Sequence, residues 1–369
     1  MKFSKTIVPL LILLFVPEQG YAKLDFEDHA FPEFVTSARA LAMGNAYLNK
    51  VDDSWSAFYN PAGLGTVRRP QFHLLNAHME ASNTMLNIAS SGPGYKIPQK
   101  YMDTFDIANV RTELGSRQGK LAHSRFNLFP NITLRGLTLG YMFSQRNRAI
   151  INDDVANNFE FNERRDQGPV MSLAASLFGG VVKVGATAVY LTRKELYKEL
   201  APATPTSTVQ SSDYKSGQGL QVTVGSRLTL PFDLLPTFSF VIRNATNKRW
   251  ENPGQGGEPE RIKQTADVGF SITPQVGKTS RLHLEANLKD VSNSYNTDSK
   301  RRLAAGAELD FNRRIFLRAG WGDGWGSGGI GVRSRTFILD ISTYAVDRSL
   351  DDFRKLEDRR WVLSISSGF

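Results

Sequence analysis

The stretch GLTLGYMFS, residues 136–144, puts Leu137, Leu139, Tyr141 and Phe143 on one parity and Thr138, Gly140 and Ser144 on the other. Period-two alternation marks an extended strand whose two faces meet different surroundings. The pattern recurs along the chain. In GLQVTVGSRLTL, Leu220, Val222, Val224, Leu228 and Leu230 face away from Gln221, Thr223 and Arg227. RLHLEANLKD sets Leu282, Leu284, Ala286 and Leu288 against His283, Glu285, Asn287 and Lys289. LAAGAELDF sets Leu303, Ala305, Ala307, Leu309 and Phe311 against Gly306, Glu308 and Asp310. About fourteen such ribbons can be marked, roughly nine to sixteen residues each. They cover 70–82, 124–135, 136–150, 167–178, 181–195, 216–231, 236–247, 262–274, 280–291, 301–312, 313–323, 325–334, 335–346 and 359–369.

Four connections are tight: Arg135-Gly136, Gly179-Gly180, Asn312-Arg313-Arg314 and Ser334-Arg335. Those between are longer and more polar, over 83–123, 151–166, 196–215, 248–261 and 347–358. Two depart from the rule: 323–325 is short on the long side, and 275–279 is moderately long on the short side. A soluble sandwich has no reason to sort loops this way, whereas a membrane barrel pairs tight periplasmic turns with long outer loops. In lipid every backbone N–H and C=O must be paired, so a sheet survives there only by closing on itself. The expected fold is all-β, a transmembrane antiparallel β-barrel over residues 70–369. Hydrophobic residues make up only 41% of the chain, but a barrel needs them on its outer face alone.

The two ends fit the same reading. In MKFSKTIVPLLILLFVPEQGYAK, Lys2 and Lys5 precede an apolar run from Ile7 to Val16, then Gly20-Tyr21-Ala22. This predicts a secretory signal peptide over residues 1–22, cleaved after Ala22 and too short to span a membrane as a helix. The last stretch, RRWVLSISSGF, carries Trp361, Leu363, Ile365 and Phe369 on one parity. It reads as the final stave, closing onto the first, and it resembles the C-terminal insertion signal of bacterial outer-membrane barrels. The expected location is therefore the bacterial outer membrane, with its lipid as a partner. The absence of cysteine removes disulfides, thiolate catalysis and cysteine metal sites. The net charge of +9 comes with no basic run interleaved with aromatics, which argues against nucleic acid and for anionic lipid headgroups.

The second parity would line the interior. It carries Lys183, Arg227, Arg243, Lys289, Arg318 and Arg333, together with Asp267, Glu285, Glu308, Asp310 and Asp340. Such balance suits pairing across the lumen, whereas an ion-selective pore would have a constriction of one sign. Inward Gly140, Gly185, Gly225, Gly269, Gly306 and Gly320 would let another backbone approach the wall. The candidate filler is residues 23–69. There Ala38, Leu41 and Ala42 fit a short helix face, Asp52 and Asp53 are candidate helix caps, and Asn60-Pro61 with Gly63 reads as a fixed turn.

This segment also carries a resemblance. R-A-L-x-M-G-x-A, then D-D-x-x-x-A and N-P-A-G-L, looks like the N-terminal plug of the FadL-like outer-membrane barrels. That superfamily includes fatty-acid and aromatic-hydrocarbon transporters and shorter PorV-like relatives. The matching positions are Arg39, Ala40, Met43, Gly44, Ala46, Asp52, Asp53, Ala57, Asn60, Pro61, Ala62 and Gly63. Asn45 stands at a usual glycine, and Trp55 where smaller residues are common. LRAGWGDG…GIGVR and VIRNATN, nearer the C-terminus, resemble the same group. The resemblance implies a fourteen-stranded barrel with residues 23–69 inside as a hatch.

Other constellations are weak. GSGGIG, Gly326–Gly331, satisfies G-x-G-x-x-G but lies in a β-hairpin, not between a strand and a helix. His29, His73, His78, His123 and His283 are scattered, and His73 and His78 lie five apart with no acidic partner at ligand spacing. No G-x-S-x-G is present, so neither catalysis, a metal nor a cofactor is expected. Residues 98–114 can be helical, with Met102, Phe105, Ile107 and Val110 on an apolar side. That helix either caps the barrel mouth or offers an apolar ligand a landing site. Pro130 falls mid-strand, where it cannot donate a ladder bond, and marks a bulge or a lateral opening. Two functions follow as expectations. One is passive uptake of a hydrophobic small molecule past the plug; the other is a PorV-like barrel that transports nothing and holds a secreted protein. The sequence leaves the oligomeric state open.

Overall fold

The computed structural model describes residues 34–91, 93–349 and 353–368, together with Leu24 and Asp28. The expected signal peptide over 1–22, His29 and Phe369 lie outside the described residues. Fifteen strands follow in order: β1 Gln71–Ser82, β2 Ala122–Leu128, β3 Asn131–Leu134, β4 Leu137–Ile151, β5 Phe159–Leu177, β6 Val182–Leu200, β7 Lys215–Thr229 and β8 Thr237–Arg243. Then come β9 Thr265–Ile272, β10 Ser280–Leu288, β11 Leu303–Phe311, β12 Ile315–Gly322, β13 Trp325–Arg333, β14 Phe337–Asp347 and β15 Glu357–Gly368. Each pairs antiparallel with its neighbour, and β15 returns to β1 with Ala77 opposite Ile365. Both β2 and β3 pair with β1 and β4, so they share one wall position. The result is a closed fourteen-strand barrel.

The faces are inverted relative to a water-soluble protein. Leu139 is 44% exposed, and next to it Thr138 is fully buried. The same holds around the wall: Leu173, Tyr190, Val224, Phe240 and Leu284 face out. Ser172, Thr187, Arg227, Ser239 and Glu285 are buried within. Soluble monomers rarely expose so continuous an apolar surface; a lipid-facing barrel requires it. Leu284, paired with Ala307 and Ile272 midway along β10, tests the point. Leu284→Arg should cost about 2–4 kcal/mol when the barrel unfolds from lipid vesicles. On a surface facing water the same change would stay within about 0.5 kcal/mol.

Three expectations need correction. The ribbon at 124–135 is broken at Phe129-Pro130. Register to β4 runs on undisturbed across the break, and Pro130 still accepts from the Tyr141 N–H at 3.1 Å. On the other side the register to β1 slips by one residue, from Leu128 opposite Ala77 to Asn131 opposite His73. The proline's missing donor is therefore absorbed by a bulge in β1. Second, 151–166 and 196–215 are not loops throughout, because β5 and β6 each run for 19 residues. A span needs roughly 9–11, so these strands rise well past the apolar belt, where charged side chains no longer argue against a strand.

Third, residues 98–114 form two helices, α4 (Ile97–Asp103) and α5 (Ile107–Leu114), with Asp106 capping the second. Neither closes the mouth. With α3 (Asn83–Ser90) they form an apolar cluster with Ala149, Ile151, Phe159, Phe161, Leu196 and Leu200. Those wall residues share the parity of the outward belt, so the helices clad the outer face of the raised strands.

Candidate functional site: the filled lumen

A fourteen-strand barrel is too wide for its own side chains to fill. The space is taken by the N-terminal segment, whose residues from Val35 to Leu48 are all buried. It contains α1 (Ala38–Ala42), α2 (Ser56–Tyr59) and a 3-10 helix, Pro61–Thr66. The expected helix at Ala38, Leu41 and Ala42 is present, but it has no exposed face.

Arg39 is the centre of the electrostatics. Its guanidinium donates to both Glu308 oxygens, at 2.7 and 2.8 Å, and to Asp52 at 2.8 Å and Asp53 at 3.2 Å. Glu308 also accepts from Arg318 at 2.8 Å, and Arg318 reaches Asp340 at 2.6 Å. Burial, the largest single influence, works against the Arg39 charge; Glu308, Tyr47 and Asp52 together outweigh it and hold the group above its ordinary value. The expected pairing across the lumen thus runs through a residue of the segment itself. Asp52 serves as one of Arg39's anions rather than as a helix cap. Asp53 accepts from the Trp55 N–H at 3.0 Å and the Tyr47 hydroxyl at 3.0 Å.

Met43 and Gly44 lie against the glycine-lined wall. A Cβ built on Gly320 would fall 2.1 Å from the Met43 carbonyl carbon, and one on Gly306 2.5 Å from its oxygen. Only glycine permits that approach. Asn45 has φ +66°, which explains why glycine is usual there and why asparagine is tolerated. Asn60 caps the 3-10 helix through the Ala62 N–H at 3.1 Å and donates to Leu48 and Ser239 at 3.0 and 3.2 Å. Pro61 packs against Gly185, and Gly63 against Val51.

The inner wall also holds apolar residues that the sequence reading passed over. Phe129, Met142, Val170, Val189 and Leu191 join Trp55, Phe58 and Phe34 in one apolar cluster. The signal was present as apolar residues on the otherwise polar parity of β4, β5 and β6. At one end of the cluster is a cavity of about 50 Å³, lined by Phe34, Phe58, Val189, Ile262 and Tyr295. At the other, the Phe129 ring packs edge-on to Phe58 at 4.9 Å, one residue from the Pro130 break.

The landing residues do not form one face. Val110 is 3% exposed and sealed against the wall, Met102 is 60% exposed, and Phe105 and Ile107 are half-buried. The histidines are better partnered than their spacing implied. Glu80 lies 3.4 Å from His78 and 2.6 Å from His123, and His283 lies 2.9 Å from Glu285. No group of three potential metal ligands occurs among the described residues.

A closed barrel with an apolar exterior and a folded segment inside is an arrangement similar in fold to outer-membrane channels of known structure. Among solved structures, the Ralstonia pickettii toluene transporter TbuX is similar at TM-score 0.53 and 10% identity, over 90% of this chain and 98% of its own. The monoaromatic hydrocarbon channel CymD is similar at 0.53 and 10%, over 90% and 97%. A deltaS2S3 mutant of the monoaromatic hydrocarbon channel TodX is similar at 0.53 and 8%, over 92% and 100%. At such identities the likeness is one of fold. No protein-family model and no curated sequence matches the chain.

Proposed function

We propose that the chain is an outer-membrane channel for passive uptake of hydrophobic small molecules, with residues 23–69 as a movable plug. The observation that carries this reading is the apolar cluster inside a polar lumen. It links the cavity at Phe34, Phe58 and Ile262 to Phe129 beside Pro130. Paired charges alone would serve a barrel that only holds a secreted protein; such a barrel has no use for an apolar track inside its lumen. A ligand would first touch the outer helices near Met102, enter at Ile262 and Tyr295, and leave into the bilayer where β2 ends. The structural neighbours named for toluene and monoaromatic hydrocarbons support ligands of that kind.

Phe129 is the proposed inner latch. Phe129→Ala should raise uptake of a labelled monoaromatic hydrocarbon by intact cells severalfold, and Phe129→Trp should lower it. Cells lacking the chain set the baseline. Uptake at that baseline for the unaltered chain and both variants would overturn the reading.

A further inference from the structure

We infer that the rim at the short-turn end is a docking ring for anionic phospholipid headgroups, an inference that rests on the membrane placement proposed above. Arg68 and Arg69 lead into β1, and Arg135 lies in the β3–β4 turn. Lys278 lies between β9 and β10, Arg313 and Arg314 between β11 and β12, and Arg335 between β13 and β14. All seven are exposed. Among the described residues of the connections at this end, Asp233 is the one carboxylate. Asp310, at the end of β11, accepts from the backbone N–H of Arg313 at 2.6 Å, which leaves that guanidinium free to reach outward. The long-loop end differs. It carries both signs, in pairs such as Lys198–Asp213 at 3.0 Å, Arg301–Asp323 at 2.6 Å and Arg117–Glu113 at 3.6 Å.

Position selects the partner. Six of the seven cations follow or precede an exposed apolar side chain by one to three residues: Arg69 before Phe72, Arg135 after Leu134, Lys278 after Val276, Arg313 and Arg314 between Phe311 and Ile315, and Arg335 before Phe337. At roughly 3.3 Å per residue the charges stand just past the edge of the belt, at headgroup level. They occupy five successive positions around the wall, from β9–β10 through the β15–β1 closure to β3–β4. The two remaining turns carry exposed Phe178 and Phe232 instead, at 80% and 63%. A protein partner would need a compact patch. An arc that follows the circumference where the belt ends fits a lipid surface, where each basic residue adds an attraction that salt screens.

The test uses the full chain reconstituted in nanodiscs of mixed phosphatidylglycerol and phosphatidylcholine, released into detergent, with retained lipid counted by native mass spectrometry. The unaltered barrel should keep phosphatidylglycerol over phosphatidylcholine by about tenfold, a preference that high salt abolishes. Arg135→Gln, Arg313→Gln, Arg314→Gln and Arg335→Gln together should bring it close to parity. Heat-modifiable mobility on gels reports that the variant remains a folded barrel; if the quadruple variant does not fold, salt sensitivity and the Arg313→Gln, Arg314→Gln pair carry the test. A folded, inserted barrel with no preference overturns the inference alone, as would a preference that survives the substitutions in the folded variant. Failure to insert into any bilayer overturns the membrane placement itself.

Discussion

Tying the N-terminal segment to the wall should stop uptake, and releasing the tie should restore it. Ala42 and Ser342 are buried and flank Gly329, where a built Cβ would lie 2.8 and 2.9 Å from theirs. The chain has no cysteine, so Ala42→Cys with Ser342→Cys forms the one possible bridge, directly or through a short thiol-reactive linker. The expected effect is large because the room beside the segment is small. The cavity beside Phe58 measures about 50 Å³, whereas an apolar cavity that binds benzene is about 150 Å³. A ring-sized ligand therefore passes only if the segment, or the wall beside it, moves. Uptake of a labelled monoaromatic hydrocarbon by intact cells should fall to the level of cells lacking the chain after oxidation, and recover on reduction. Full uptake through a barrel shown to be completely bridged would mean that the segment is a fixed part of the wall and the route lies elsewhere.

Much of this architecture could be read from the sequence because lipid imposes a rule that every spanning stave obeys. Leu137-Thr138-Leu139 or Leu284-Glu285-Ala286 cannot sit in a bilayer any other way, so alternation and face assignment agree with the barrel stave by stave. The rule lapses where lipid does. Phe159, Glu160, Phe161 and Asn162 continue β5 above the belt, where helices rather than lipid cover the outer face, and their charged neighbours disguised the strand. The two-helix form of 98–114 was obscured for a related reason. Its apolar side is split between Val110, pressed on the outer wall, and Met102, left outside, and no helical period records which surface will cover it. Within the lumen, the glycines and charges led to the expectation of a filler, and the structure lays the Met43 backbone against Gly320. The particular pairing of Arg39 with Glu308, 269 residues away, needed the closed barrel to become visible. The apolar track was hidden because alternation records which face a residue takes and not what covers the inner one, although Met142, Val170 and Val189 are apolar on the inward parity.

Removing Arg39 should loosen the segment while leaving the barrel whole. The guanidinium is 3% exposed and is held by Glu308, Asp52 and Asp53 at once. Taking one partner from a buried charge cluster typically costs about 3–5 kcal/mol. Here the cost falls on the docking of the segment. Glu308 keeps Arg318 at 2.8 Å and Lys50 at 3.4 Å, so the wall retains a neutralised carboxylate. The strand ladder, closed by β15 on β1, does not depend on the segment. Arg39→Ala should therefore preserve heat-modifiable mobility but expose residues 37–65 to protease and turn a silent planar bilayer into one with fluctuating ion current. Arg39→Lys should fall between, because a lysine supplies the charge without the paired donors that match Glu308. An Arg39→Ala barrel as silent and as protease-resistant as the unaltered chain would show that the glycine contacts at Gly306 and Gly320 hold the segment without the ion cluster. Movement would then have to begin at that backbone seam.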